Sequence, residues 1–67
     1  MNYEFYVTDD KQEADTLAAL MAENHVPCTL AARIAHIGGK PYYLFLTDSA
    51  HYTEAVRVRE AYFRRIA

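Results

Sequence analysis

Apolar and polar residues alternate through "YEFYVT" (3–8). Tyr3, Phe5 and Val7 fall on one side, Glu4, Tyr6 and Thr8 on the other. A period of two predicts a half-buried strand. The period then changes. In "DDKQEADTLAALMAEN" (9–24), Ala14, Leu17, Ala18 and Met21 recur at i, i+3, i+4 and i+7, and Leu20 widens the stripe. That spacing gathers apolar side chains on one face of a helix. Asp9 with Gln12, or Asp10 with Glu13, makes a start resembling a capping box, so a helix is expected from about Asp10 to Asn24.

Pro27 cannot continue a helix. In "HVPCTLAARIAHI" (25–37), Val26, Cys28, Leu30 and Ala32 alternate with Thr29, Ala31 and Arg33, which predicts a second strand. Gly38-Gly39 signals a turn. "KPYYLFLT" (40–47) reads as a third strand, and "DSAHYTEAVRVREAYFRRIA" (48–67) as a second helix capped by Asp48 or Ser49. Its expected inward positions are Tyr52, Ala55, Val56, Phe63 and Ile66. Arg59 lies on the same stripe, where its stem can cover apolar surface while its head stays wet.

The element order is therefore βαββα, in a single domain over residues 1–67. A strand–helix–strand crossover is right-handed, so the first two strands run parallel. The third follows through a tight hairpin and is expected between them, antiparallel to both. This gives an α+β two-layer sandwich, half of a ferredoxin-like arrangement, with sheet order 2-3-1 and both helices on one face.

The third strand breaks the alternation. From Tyr42 to Leu46 every residue is aromatic or leucine, so both faces of the central strand are apolar and the helices can cover only one. Hairpin register decides which. A two-residue loop, Gly38-Gly39, turns Tyr43 and Phe45 inward. A three-residue loop, Ile37-Gly38-Gly39 with Gly39 left-handed, pairs Leu30 with Leu46 and Ala32 with Leu44. The second sets two leucines against two helices and is the expectation here. Tyr6, Tyr43 and Phe45 then form an outward aromatic patch, the candidate interaction surface, suited to a protein partner or a second copy of the chain. A slip of one residue reverses this assignment.

Composition narrows the function. The chain has 67 residues, 52% hydrophobic and 24% charged, which is globular rather than disordered. Its one cysteine, Cys28, excludes an internal disulfide. Below roughly 70–80 residues a core rarely supplies more than about 3–5 kcal/mol, so self-association is a natural supplement. No run approaches a membrane span, and "MNYEFYVTDD" lacks the basic start and apolar centre of a signal peptide. A cytoplasmic location is expected. Net charge is −2, which argues against nucleic acid as a partner. Sheet aromatics can stack RNA bases, but a fourth strand and a glycine-rich aromatic motif are missing.

No catalytic constellation emerges. Asp48 and Ser49 are explained as helix caps. "GGK" (38–40) joins two strands and is no phosphate loop. His25, Cys28, His36 and His51 lack paired ligand spacing, so no metal or other cofactor is expected. His25 follows a helix at a left-handed position, which histidine tolerates better than most residues. Cys28 reads as a small inward residue. Arg57, Arg59, Arg64 and Arg65 make "RVREAYFRR" (57–65) a solvated helix face, or a cationic end beside a membrane if a longer protein continues.

The two stretches "EADTLAALMAENHVPCTL" and "LFLTDSAHYTEAVRVREAYF" together resemble the N-terminal cytoplasmic domain of bacterial rhomboid intramembrane proteases. Val26, Cys28 and Leu30 match its second strand; Leu44, Phe45, Leu46 and Asp48 its third; Val56, Arg57 and Phe63 its last helix. The likeness spans nearly the whole chain as a pattern of apolar spacing, without a signature motif. A family of small prokaryotic signal-transducing proteins shares the pattern. Both usually carry glycine where this chain has His25. The rhomboid likeness implies a non-catalytic regulatory appendage, the protease's serine and histidine lying in a membrane domain downstream, and partners that are proteins: the parent membrane domain, or a second copy through domain swapping. The signalling likeness implies a free-standing module binding a protein or small ligand.

Overall fold

In a computed structural model, which describes residues 2–66 with the side chain of Ile66 excepted, the elements are β1 (Asn2–Thr8), α1 (Lys11–Glu23), β2 (Thr29–Ile34), β3 (Pro41–Asp48) and α2 (Tyr52–Ile66). The sheet order is β1-β3-β2, and β3 is antiparallel to both neighbours. The expected βαββα sandwich and its central third strand are what the chain adopts. The inward position expected of Ile66 lies outside the described residues.

The helix ends follow local chemistry. Asp10 is the N-cap of α1: its carboxylate accepts from the Gln12 and Glu13 N–H groups at 2.9 and 3.3 Å. At the other end His25 adopts φ 57°. Its N–H donates to Ala22 O at 3.1 Å, and Val26 N–H donates to Met21 O at 2.9 Å. This pair of bonds is the Schellman arrangement. Buried Met21 and Val26 supply its apolar contact. The left-handed reading of His25 holds without glycine. At α2, Asp48 Oδ1 accepts from His51 N–H at 2.9 Å.

The core comprises Phe5, Ala14, Leu17, Met21, Val26, Phe45 and Ala55. Tyr6, Tyr43, Val56, Val58 and Tyr62 pack against it. Tyr52, expected inward, instead stays exposed at the start of α2.

Two irregularities set which strand residues face the helices. The first is the hairpin. Ala35 N–H donates to Lys40 O at 2.8 Å, so the loop is His36-Ile37-Gly38-Gly39, one residue longer than expected. Gly38 and Gly39 carry it through φ 88° and 65°, a conformation glycine enters without the steric penalty of a Cβ. Leu30 consequently pairs with Phe45 and Ala32 with Tyr43, not with Leu46 and Leu44. This corrects the expected register, and the one-residue slip exchanges the two faces of β3.

The second irregularity is a bulge in β1. Glu4 pairs with Leu46 and Tyr6 with Phe45, leaving Phe5 as an extra residue between them. Phe5 and Tyr6 therefore both reach the helix side. Their ring centroids lie 5.8 and 6.2 Å from that of Phe45. Val7, expected inward, is turned out and is 47% exposed. The Arg59 guanidinium donates to the carbonyl of Phe5 and pairs with Glu60 at 2.9 Å. Its head thus anchors the bulge to α2 rather than staying wet as the sequence suggested.

Candidate functional site

The expected aromatic patch does not face outward. Phe45 is 0% exposed, at the centre of the core. Tyr6 is half-buried under α2, its ring 5.3 Å from that of Phe63. Its phenol donates to Glu13 Oε1 at 2.5 Å. Burial first, then this bond to a carboxylate, pushes the Tyr6 pKa from 10.0 up to about 12. Tyr43 stands between Thr8 and Ala32 and packs on the same core. The structure does bring Tyr6, Tyr43 and Phe45 together, but on the helix-covered face. A longer hairpin loop and the β1 bulge are the physical reasons.

The residues that replace them follow from the same register. Tyr42, Leu44 and Leu46 alternate with Tyr43, Phe45 and Thr47 along β3, so their side chains point away from the helices. Leu44 stands between Val7 and Ala31, and Leu46 between Glu4 and Thr29. Tyr42 stands opposite Arg33. The outer face is thus an apolar stripe along the central strand, widened by Val7 and Ala31 and rimmed by Glu4, Thr29 and Arg33. An apolar centre inside a polar rim is the layout of a protein–protein contact. Sequence alone showed that both faces of β3 are apolar, but it assigned the leucines to the wrong one. Only the length of the 36–39 loop separates the two assignments.

Apart from the outer face, a concavity lies where β1 begins, beside the start of α2. Tyr3, Glu4, Ser49, Tyr52 and Thr53 line it. The Tyr3 and Tyr52 rings meet edge to face at 6.1 Å. Tyr3 faces Thr47 across the ladder, and Thr47 is buried with its hydroxyl donating to Pro27 O at 2.7 Å.

The remaining candidates have structural roles. His51 Nδ1 lies 2.8 Å from Asp48 Oδ1, and this contact holds the Asp48 carboxyl below its usual range. His51 thereby serves the helix cap. Burial pushes the Cys28 thiol up, away from the reactive thiolate. Among the described residues no group of three or more His, Cys, Asp or Glu is placed to hold a metal ion, and no helix is long and apolar enough to cross a membrane. Compared with known proteins, the chain matches no family model, no curated protein and no solved structure.

Proposed function

We propose that this domain is a non-catalytic protein-interaction module whose partner seats on the outer face of the sheet. The observation that carries the reading is the stripe Tyr42-Leu44-Leu46 with Val7, on the side of the central strand away from the helices. A strand buried on both faces reads as a continuous apolar run, and β3 has that run while both helices pack on its other side. The likeness in apolar spacing to the cytoplasmic appendage of rhomboid proteases supports the same reading and adds a regulatory role beside a membrane domain. RNA binding loses its support, because Tyr6, Tyr43 and Phe45 lie on the helix side, leaving Tyr42 as the one aromatic of β3 on the outer face, and the outer rim carries Glu4 as well as Arg33.

A photo-crosslinking side chain at Leu44 tests the docking face, with one at exposed Thr16 on α1 as control. Adducts at Leu44 that unlabelled domain competes away, and that Leu46→Glu abolishes, support the reading. Equal labelling at the two positions sinks it. The rhomboid connection is checked separately by the coding sequence beyond Ala67. Several apolar segments of about 20 residues there would support it; a stop codon would remove it.

A small-ligand module is the second reading, favoured by the Tyr3–Tyr52 cleft with its Ser49 and Thr53 hydroxyls. Shifts confined to Tyr3 and Tyr52 on titration with a small-molecule fragment set would favour it over the sheet face.

A further inference from the structure

The sheet has two edges, β1 and β2, and they are unlike. The β1 edge bears the bulge at Phe5 and the charged side chain of Glu4. Both discourage the addition of another strand. Strand β2 pairs with β3 without a bulge, contains no proline or lysine, and carries one charge, Arg33.

The direction of its free backbone groups follows from the hairpin. Ala35 bonds to Lys40 directly opposite. Hydrogen-bonded and non-bonded pairs alternate in an antiparallel ladder. Arg33, Ala31 and Thr29 therefore bond to β3, while Leu30, Ala32 and Ile34 turn their N–H and C=O groups to the open edge. Proline at position 41, opposite Ile34, agrees with this parity, since it has no N–H to give.

The same three residues put their side chains on the helix side of the sheet, beyond the cover of the helices. Leu30 is 38% exposed and Ile34 66%, and Ile37 in the hairpin loop is 92% exposed. These are three of the six large hydrophobics left exposed among the described residues, so the unsatisfied apolar surface concentrates where the unsatisfied backbone lies.

We propose that β2 pairs edge to edge with β2 of a second copy of this chain, antiparallel about a two-fold axis at Ala32. The two sheets then become one continuous sheet with all helices on one side. The sequence "TLAARI" is self-complementary in this register. Ala32 meets its own copy, Leu30 meets Ile34 of the second copy, and Arg33 stands opposite Ala31 of the second copy, so the one charge on the strand does not directly face itself. Every free N–H and C=O of the three edge residues finds a counterpart. Shifting by two residues leaves Leu30 or Ile34 without its apolar counterpart. Shifting by one sets free groups against groups already bonded to β3. This internal match selects a second copy over an unrelated strand. It also supplements a core too small to be generous. The outer face of Leu44 and Leu46 stays open in the pair, so the proposal goes beyond the docking reading and does not depend on it.

The test is sedimentation from micromolar to millimolar concentration, with residue-resolved amide exchange on the intact chain. The expected result is a concentration-dependent dimer in which the amides of Leu30, Ala32 and Ile34 gain at least tenfold protection as concentration rises. Ala32→Pro removes an edge donor that β3 does not use, and proline is tolerated on such an edge. It should leave a folded monomer. Ile34→Lys, which puts a charge on the seam without altering the backbone, should do the same. A wild-type chain that remains monomeric at millimolar concentration overturns the proposal. So does a dimer whose three edge amides exchange as fast as in dilute solution. If that dimer perturbs Leu44 and Leu46 instead, the outer face is the contact and the edge is not.

Discussion

The hydroxyl of Thr47 donates to the carbonyl of Pro27, twenty positions earlier in the chain, at 2.7 Å, and Thr47 is almost wholly buried. This bond ties the segment leaving α1 to the central strand, just before β2 begins. It explains why a polar residue occupies an inward position in the most apolar strand of the chain. Thr47→Val keeps the shape and removes the donor, leaving the Pro27 carbonyl without this partner. A loss of about 1–3 kcal/mol is expected, read from the urea midpoint. Thr47→Ser should recover most of it. Equal losses in both variants would assign the effect to packing.

Phe45 and Leu44 are neighbours with opposite fates. Truncating a buried phenylalanine to alanine costs about 3–5 kcal/mol, comparable to what a domain of this size holds in total. Phe45→Ala should therefore be unfolded at room temperature. Leu44→Ala, on the outer face, should lose about 1 kcal/mol and keep its fold, since outward positions contribute far less. Far-ultraviolet circular dichroism with urea titration reads both. The reverse ranking would restore the register with the leucines inside.

That contrast marks where the sequence was legible. Periodicity placed the first two strands and the first helix, the Gly38-Gly39 turn and apolar composition placed β3, and crossover handedness with the tight hairpin placed it antiparallel between the other two. Local capping rules narrowed the helix cap to Asp9 or Asp10 and anticipated the left-handed residue at His25, because both depend on a few adjacent residues. The faces of β3 depend on something periodicity does not encode. Gly38-Gly39 marks a turn, but whether His36 belongs to the loop or to the strand changes no local preference strongly. The bulge at Phe5 is equally silent, because "YEFYVT" is a regular alternation. The contact that meets it comes from far along the chain: the Arg59 guanidinium donates to the Phe5 carbonyl. The candidate site was therefore recognised as an apolar second face on β3, with Leu44 and Leu46 exchanged for Tyr43 and Phe45.

Arg59 provides a test of whether that remote contact holds the bulge. Arg59→Met preserves much of the apolar stem and removes the donors. A hydrogen bond from a charged group is worth about 1.5–3 kcal/mol, and a loss in that range is expected. The signature beyond stability is in β1: chemical shifts of Phe5, Tyr6 and Val7 should move together. If shifts change only around Arg59 on α2, the guanidinium does not hold the bulge.

His25 is a site where the chain is less stable than it need be. A non-glycine residue in the left-handed region costs roughly 1–2 kcal/mol, although histidine sits among the better tolerated types. Glycine removes that strain and adds back about 0.4–1 kcal/mol of unfolded-chain entropy. His25→Gly should therefore gain on the order of 0.5–1 kcal/mol, seen as a higher thermal midpoint. His25→Val, β-branched at a positive φ, should move the midpoint the other way. A fall with glycine would mean that the His25 side chain makes a stabilising contact.

Two titrations should shape the stability curve from opposite ends. Asp48 has its pKa lowered by His51 from the ordinary 3.8. The unfolded chain takes up that proton first, so the stabilisation is full above 3.8 and fades as pH falls through the lower folded value. Asp48→Asn should flatten this acid limb. Tyr6 works at the alkaline end. Its pKa is raised from 10.0 to about 12, first by burial and then by Glu13. The unfolded chain releases the phenolic proton first, so the contribution is intact below 10.0 and is lost as pH rises to about 12. Tyr6→Phe has no proton to release there and should flatten the alkaline limb relative to the parent chain, even though it forfeits the bond to Glu13 at neutral pH. The two chains differ at Tyr6 alone, so the difference between the two urea series isolates it. Parallel alkaline limbs would show that Tyr6 ionises as easily in the folded domain as in the unfolded chain, contrary to its burial against Phe45 and Phe63.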